Sequence, residues 1–181
     1  MTGLTLGDAT QTDATVRLAA EGNEAAFARL VDRHHAAMSR VAYAVTGDVD
    51  SARDATQAAW TIAWRRLPTL RDHAQIRAWL VAIAANEARQ VVRRRRAHPV
   101  IDLGEAIEVG VDGDPAGRIE SVDLARVIGS FKPEDRALLA LRFVAGLDST
   151  EIAPHVGLSP SGVRSRLSRL IERLRKELED A

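Results

Sequence analysis

Apolar positions recur at helical spacing through the first half of the chain. From Phe27 they return every three or four residues until Gly47, which places them on one face of a helix. The members of this face are Phe27, Leu30, Val31, Met38, Val41, Ala42 and Val45. Asn23 is a suitable N-cap for this helix, and Asp13 is one for a short preceding helix that would end at Gly22.

Two further helices are predicted before residue 99. Asp50 would begin one that Pro68 ends, because proline lacks the backbone N–H that a helix interior needs. A longer apolar pattern from Ile76 to Val92 then runs into the arginines 93–96. The three tryptophans lie within these apolar stripes, so we interpret them as core rather than base-stacking residues: Trp60, Trp64 and Trp79.

The pattern stops between Pro99 and about Glu120. Residues 99–121 contain one arginine and six acidic residues, together with several glycines, and show no sustained periodicity. Such a segment is typical of a flexible linker. We therefore expect two domains, at residues 13–98 and 122–181.

Helical spacing resumes after the linker. Val122–Phe131 and Pro133–Ala145 are helix-sized segments, and Gly146 is a natural terminator. Ser149–Val156 forms a short helix, and Pro160 opens a last one behind Ser159 as its N-cap. Strand-like runs of β-branched and aromatic residues are missing from the pattern, so the predicted fold class is all-α, with two small helical domains.

The last two helices have the spacing of a helix-turn-helix. Ala153 is small enough for close approach, Gly157 can adopt the positive φ of the turn, and Val163 can pack the second helix on the first. The face left for a major groove carries Arg164, Ser165, Ser168 and Arg169. An ordinary helical hairpin stays open as the alternative. Pro154 predicts that the first of these helices is kinked or starts late.

Charge is strongly segregated although the net charge is zero. Residues 65–98 hold nine arginines against Asp72 and Glu87, which favours an acidic polymer such as DNA as partner. On the fourth helix we place four polar side chains on one face, as a surface for phosphates and bases: Arg77, Asn86, Arg89 and Arg93. A solvated basic helix is the alternative.

Several function classes are disfavoured. The chain has no cysteine, no phosphate-binding GxxxxGK[ST] loop and no HExxH pair, so we expect no enzyme, no cofactor and no metal. His34 and His35 are adjacent and diverge on a helix, and Asp112 and Asp114 lack the remaining ligands of a calcium loop. No apolar stretch approaches the ~20 residues of a membrane span, so we expect a cytoplasmic protein without membrane insertion.

Three segments of the first half resemble, in order and spacing, domain two of the extracytoplasmic-function (ECF) RNA polymerase sigma factors of the sigma-70 family. They are GNEAAFARLVDRHH, SARDATQAAWTIAWRRL and IRAWLVAIAANEARQVVRRRR. The segment KPEDRALLALRFVAGLDSTEIAPHVGLSPSGVRSRLSRLIERLRKEL resembles their domain four. The resemblance covers about residues 22–178.

The resemblance implies a factor that binds core RNA polymerase and directs promoter-specific initiation. Asp54 and Gln57 would contact the clamp helices of the β′ subunit, domain four would contact the β flap, and an anti-sigma factor would be a further partner. The −10 element would be read in melted form by Arg71, His73, Gln75, Arg77, Asn86, Arg89 and Arg93. The −35 duplex would be read by Ser161, Arg164, Ser165, Ser168 and Arg169.

This chain departs from the family pattern at several positions. Ala58 replaces the usual glutamate, Thr56 an apolar residue, and Ser161-Gly162 the usual Gly-Thr. The competing interpretation is a conventional dimeric helix-turn-helix regulator on palindromic sites, with the N-terminal half used for dimerisation or ligand sensing. A requirement for core polymerase distinguishes the two.

Overall fold

The computed structural model describes residues 6–97, 124 and 126–179, and in this part of the chain the regular elements are all helical, as predicted. The N-terminal helices are α1 (Leu6–Ala20), α2 (Glu24–Thr46), α3 (Val49–Arg66) and α4 (Ile76–Ala97). The C-terminal helices are α5 (Pro133–Leu139), α6 (Ser149–Val156) and α7 (Pro160–Glu179), preceded by a helical stretch at 126–130. The predicted linker, residues 99–121, lies outside the described residues.

Helix ends follow the capping residues with two exceptions. Asn23 accepts a hydrogen bond from the Ala26 amide at 2.9 Å, and Gly47 has a φ of 72°, which confirms both ends of α2. The third helix is capped by Asp48 rather than begun by Asp50. The predicted N-cap role of Asp13 is wrong, because α1 begins at Leu6 and the Asp13 carboxylate instead faces Nδ1 of His73 at 2.9 Å.

The N-terminal core lies between α2, α3 and α4. Helix α2 buries large side chains such as Leu30, Met38 and Val41, each at most 2% exposed. Helix α3 meets them with small ones: Ala52, Ala55, Ala59 and Ala63. Because alanine adds little width to a helix, α3 lies close against its neighbours.

The tryptophans are divided between core and surface. Trp60 and Trp79 are partly buried against the core, in agreement with the interpretation from sequence. Trp64 is 39% exposed, so its assignment to the core is wrong. It packs edge-on against Phe27 at 4.8 Å between ring centroids, at the rim of the α2–α3 face.

The C-terminal helices form the predicted helix-turn-helix. Asp148 makes a capping box with Glu151, so α6 begins at Ser149 and the late start expected from Pro154 is wrong; the reciprocal cap fixes the first turn before the proline is reached. Gly157 turns the chain with a φ of 68°, and Ser159 Oγ accepts from the Gly162 amide at 3.1 Å. One feature had no sequence signal: α5 continues as a π-helical turn over Ala140–Val144.

The N-terminal and C-terminal helices share one continuous hydrophobic cluster in this structure. Arg136 of α5 is 9% exposed and donates from Nη1 to the carbonyl oxygen of Val45 in α2 at 3.0 Å. Arg77 at the start of α4 donates to the carbonyl oxygen of Ala145. The pattern of either half predicts an apolar face, but does not reveal that the faces meet.

Candidate nucleic-acid interface

The outer face of α7 carries all five side chains predicted for duplex reading. Behind it, Val163 is fully buried and Leu167 and Leu170 are at most 7% exposed, which fixes the helix on its support. The five exposed residues of this face are Ser161, Arg164, Ser165, Ser168 and Arg169. Arg169 Nε donates to the Ser165 carbonyl at 3.3 Å, so its guanidinium is already oriented along the helix.

Two other arginines of α7 are structural. Arg166 reaches back to Asp135 of α5, with Nη2 and Oδ1 2.7 Å apart, and so ties the recognition helix to its neighbour. Arg173 lies over the Phe131 ring at 4.5 Å and pairs with Glu177 at 2.6 Å. In the sequence both arginines belong to one basic run over residues 164–176, and only the structure shows which partners they contact.

The turn before α7 leaves little room for a side chain at Gly162. A Cβ at this position would lie 3.2 Å from Ser159 Oγ, so the capping serine would have to move by a few tenths of an ångström. Ser161 Oγ is 3.0 Å from Ser159 Oγ. The Ser161-Gly162 pair therefore fits a compact hydroxyl-rich start of the recognition helix, where backbone N–H groups favour phosphate.

Three of the residues predicted to read −10 lie in the loop before α4, and they differ in whether another side chain holds them. Arg71 and Gln75 are exposed. His73 is held by Asp13 of α1, with which it forms the 2.9 Å contact described above. Asp72 Oδ1 accepts from the Ala74 amide at 3.1 Å and shapes the loop into its 3₁₀ turn, His73–Gln75.

Asn86 is held in place by its neighbours on α4. Its Oδ1 accepts from Arg89 Nη2 at 2.6 Å, and its Nδ2 lies 3.4 Å from Glu87 Oε1. Glu87 is only 8% exposed and also accepts from Gln90 Nε2 at 3.0 Å. This network orients the amide towards a cleft of about 520 Å³, which the residues around Asn86 share with Pro154 and His155 of α6.

Arg77 does not lie on the Asn86 face, so the prediction of one face for all four residues is wrong. Nine residues separate the two positions, which on a helix of 3.6 residues per turn is two and a half turns and therefore the opposite side. Asn86 and Arg89 remain together, Arg93 is exposed further along α4, and Arg77 turns to Ala145.

The predicted polymerase-binding residues lie on the exposed side of α3. Asp54 and Gln57 are both exposed, and Gln57 borders an apolar cavity of about 620 Å³ between α2 and α3. Thr56 is 1% exposed and donates to the Ala52 carbonyl at 2.7 Å, so it belongs to the core rather than to this surface. Ala58 is partly exposed and leaves the surface less acidic than a glutamate would.

His34 is a buried residue whose environment could not be recognised from sequence. It is 7% exposed, and its Nε2 has no hydrogen-bond partner among the described residues. Burial, together with the positive charges of Arg33 and Arg77, lowers the pKa of His34 from 6.5 to about 4. The described part of the chain contains no cluster of three metal-ligating side chains, and no helix in it is long and apolar enough to cross a membrane.

Two family models match the chain, one for each group of helices. The model for Sigma-70 region 2 covers residues 30–98, and the model for Sigma-70, region 4, covers residues 121–174. The first match assigns the N-terminal helices to a sigma region. A dimerisation or sensing module of a conventional regulator is therefore not favoured.

Curated relatives agree with these matches. The probable RNA polymerase sigma factor RfaY of Xanthomonas campestris is 33% identical over 168 residues; the match covers 88% of this chain and 42% of RfaY. The ECF RNA polymerase sigma factor SigL of Mycobacterium tuberculosis is 28% identical, with 92% of this chain and 97% of SigL covered.

A solved structure has the same architecture. It is that of CnrH in complex with the cytosolic domain of CnrY, which aligns with a TM-score of 0.69 at 26% identity over 92% of this chain and 96% of that one. CnrH is a sigma factor of Cupriavidus metallidurans. Family models over both helix groups, relatives that match most of this chain and a matching structure all agree: this chain belongs to the ECF RNA polymerase sigma factors of the sigma-70 family.

Proposed function

We propose that this sigma factor divides promoter reading between α7 and the Asn86 surface of α4, and that Asp54 and Gln57 help bind the polymerase clamp. The observation that carries the proposal is the exposed α7 face, whose polar side chains point outward while Val163 and Leu167 fix the helix from behind. The protein would act in the cytoplasm as an initiation factor without catalysis of its own. The domain limits 13–98 and 122–181 are part of this proposal.

Duplex reading at −35 rests on the chemistry of two arginines. Arg164 and Arg169 are exposed one and a half turns apart on α7, with Ser165 and Ser168 between them. An arginine that pairs bidentately with guanine contributes about 1–3 kcal/mol of discrimination, and hydroxyls can bind phosphate. The backbone N–H of Ser161, in the first turn of α7, would add a further phosphate contact.

Reading of the −10 element would depend on the side-chain amide of Asn86, whose neighbours on α4 fix its orientation. An extruded base costs a few kcal/mol of stacking, so the protein must offer a preformed polar pocket in return. The bond from Arg89 to Asn86 and the buried Glu87 beside it form such a pocket. Arg71, Gln75 and Arg93 are also exposed, and such side chains suit the phosphates of a single strand.

An anti-sigma factor is a further proposed partner. CnrH, which shares this architecture, was solved with the cytosolic domain of CnrY bound. The apolar cavity beside Gln57, lined by residues such as Tyr43, Val49 and Trp60, is suited to the apolar side of a helix. Such a partner would compete with the clamp for the α3 surface.

In vitro transcription with purified core polymerase on a genomic promoter library tests the function. The protein should add promoter-specific transcripts that core polymerase alone does not make, and alignment of their start regions should reveal both elements. Binding of the protein alone as a dimer to a palindromic site, with no effect on initiation, would contradict the proposal.

A further inference from the structure

The loop before α4, residues 70–75, turns one polar side chain inward. Four of its six residues are exposed, and the two that are half-buried are Leu70 and His73. Leu70 packs against the hydrophobic core, as its chemistry leads one to expect. The His73 side chain is only 22% exposed, although an imidazole carries two polar nitrogen atoms. A histidine in this position needs a hydrogen-bond partner.

Asp13 of α1 is that partner. Its Oδ1 lies 2.9 Å from Nδ1 of His73, and the Asp13 side chain is 56% exposed. A carboxylate can only accept hydrogen bonds, so Nδ1 carries a proton in both ionisation states of the imidazole. The contact therefore fixes the orientation of the His73 ring relative to α1.

Helix α1 provides a firm support for this contact. Val16 and Ala19 are at most 3% exposed and anchor the helix in the N-terminal core. Thr12, the neighbour of Asp13, accepts a hydrogen bond from Arg33 Nη1 of α2 at 3.0 Å. Asp13 lies three residues before Val16, so the two share one side of the helix. The carboxylate is thus held at a defined place beside the loop.

The rest of the loop is shaped around His73. Asp72 Oδ1 accepts from the Ala74 amide and the Asp72 carbonyl accepts from the Gln75 amide, both at 3.1 Å. Arg71 and Gln75, which lie two residues before and after His73, are exposed. Because the turn is this short, a shift of His73 would displace the side chains on both sides of it.

We propose that Asp13 is a positioning residue for −10 reading: through His73 it holds the loop that presents Arg71 and Gln75 to the melted strand. His73 is then an anchor of the loop and not itself a DNA contact. This inference rests on the function proposed above. The match to Sigma-70 region 2 begins at residue 30, so a helix outside the matched segment takes part in promoter recognition.

Binding of a single strand to the holoenzyme, which is core polymerase with this factor bound, tests the proposal. The probe is a fluorescein-labelled oligonucleotide with the non-template −10 strand of a promoter found in the library assay. Asp13→Ala should weaken its binding about threefold to fivefold, or roughly 0.7–1 kcal/mol at 1.4 kcal/mol per factor of ten, because a pair at this exposure is weak. Affinity for core polymerase and for the −35 duplex should stay unchanged.

Glu21→Ala is the matched control for the loss of a carboxylate. Glu21 is exposed and directly follows the last residue of α1. Its replacement should leave binding of the probe as in the wild type, because it removes the same charge without removing the contact to His73. An equal loss in Glu21→Ala and Asp13→Ala would show a general charge effect and overturn the positioning role.

A double-mutant cycle shows whether Asp13 acts through His73. His73→Ala should weaken binding of the probe as much as Asp13→Ala does, and the combined variant should bind no more weakly than either. A larger loss in His73→Ala would mean that the imidazole contacts DNA itself. Additive losses would mean that the two residues act separately. Either result overturns the positioning role.

The imidazole of His73 reports the contact directly. Nitrogen-15 spectra of the free protein with labelled histidine distinguish a protonated Nδ1 from an unprotonated one, and His73→Ala assigns the signal. Asp13→Ala should change the Nδ1 signal of His73, because the ring loses the acceptor that fixes its tautomer. An unchanged signal would show that the pair does not form in solution and would overturn the proposal.

The wild-type holoenzyme separates this inference from the function beneath it. If it does not bind the −10 strand at all, the proposed function is wrong. If it binds the strand and Asp13→Ala binds equally well, only the positioning role is overturned.

Discussion

The exposed arginines of α7 and the half-buried amide of Asn86 are suited to different states of DNA. Arg164→Ala and Arg169→Ala should weaken recognition of the −35 duplex by about 1–3 kcal/mol each, because each removes a group able to pair with base edges. Asn86→Ala should mainly impair opening at −10, since a held amide acts only on an extruded base. Initiation assays on duplex and pre-melted templates distinguish the defects.

On a promoter already melted across −10, the Asn86→Ala variant should recover at least in part and the two arginine variants should not. Arg175→Ala provides a matched control, because this arginine is also exposed on α7 but lies outside the five-residue face. Equal recovery of all three variants, or of none, would contradict the division between the two surfaces.

His34 should make stability fall in mild acid. Its pKa is about 4 in the folded state, against 6.5 for an unperturbed histidine, so the unfolded chain binds a proton first as the pH is lowered. The stability that neutral His34 contributes is present above pH 6.5 and is lost as the pH falls towards 4. Linkage gives a loss of roughly 2 kcal/mol between pH 7 and pH 5.

Urea unfolding at the two pH values measures this effect. His34→Gln has no proton to bind, so its stability should change much less over the same range, whereas His35→Gln removes the exposed neighbour and should behave as wild type. The prediction fails if the wild type and His34→Gln lose the same free energy.

At the scale of single helices, α6 contains a conflict between its cap and its interior. The capping box of Asp148 and Glu151 fixes its start, whereas Pro154 removes the backbone donor that would bond the Thr150 carbonyl. Pro154→Ala should therefore raise the free energy of unfolding by about 1 kcal/mol or more. Thermal unfolding followed by helicity checks the gain.

Pro160 offers the matched control, because it occupies the first turn of α7, where a backbone donor has no helical acceptor. Pro160→Ala should change stability by only a few tenths of a kcal/mol. Similar gains in the two variants would show that the effect of Pro154 does not come from the missing hydrogen bond.

At the scale of the whole molecule, the shared cluster couples two units that are each small. A domain of about 60 residues buries only about 60% of the surface that its unfolded chain exposes and is marginal alone, so the C-terminal helices should draw stability from the N-terminal ones. All three tryptophans, at 60, 64 and 79, lie in the N-terminal helices. Their fluorescence thus follows one unit, whereas circular dichroism follows both.

We expect the two signals to give one coincident urea transition in the wild type. In Arg77→Glu they should separate, with helicity lost first as the C-terminal helices unfold, and in Arg71→Glu they should stay coincident. Separate transitions in the wild type would mean that the cluster does not couple the units.

Sequence alone determined most helices and the exposed face of α7. Caps and terminators act within a few residues, so Asn23, Gly47, Gly157 and Ser159 could be read directly. The exposed face of α7 follows from its period, because the apolar positions Val163, Leu167 and Leu170 leave only one outer side. The resemblance to the family covered both helix groups because it depends on short local sequence patterns that follow one another in a fixed order.

Tertiary structure decided what depends on contacts between distant segments. From the sequence, Arg166 and Arg173 resemble further DNA contacts. In the structure Arg166 pairs with Asp135, and Arg173 packs on Phe131. The burial of His34 had no signal in the sequence, and Arg77 was assigned to the wrong side of α4. The contact between the two helix groups also could not be predicted from the sequence, because an apolar face does not specify its partner. In the same way, a helix C-terminus does not specify which arginine will donate to its carbonyl groups.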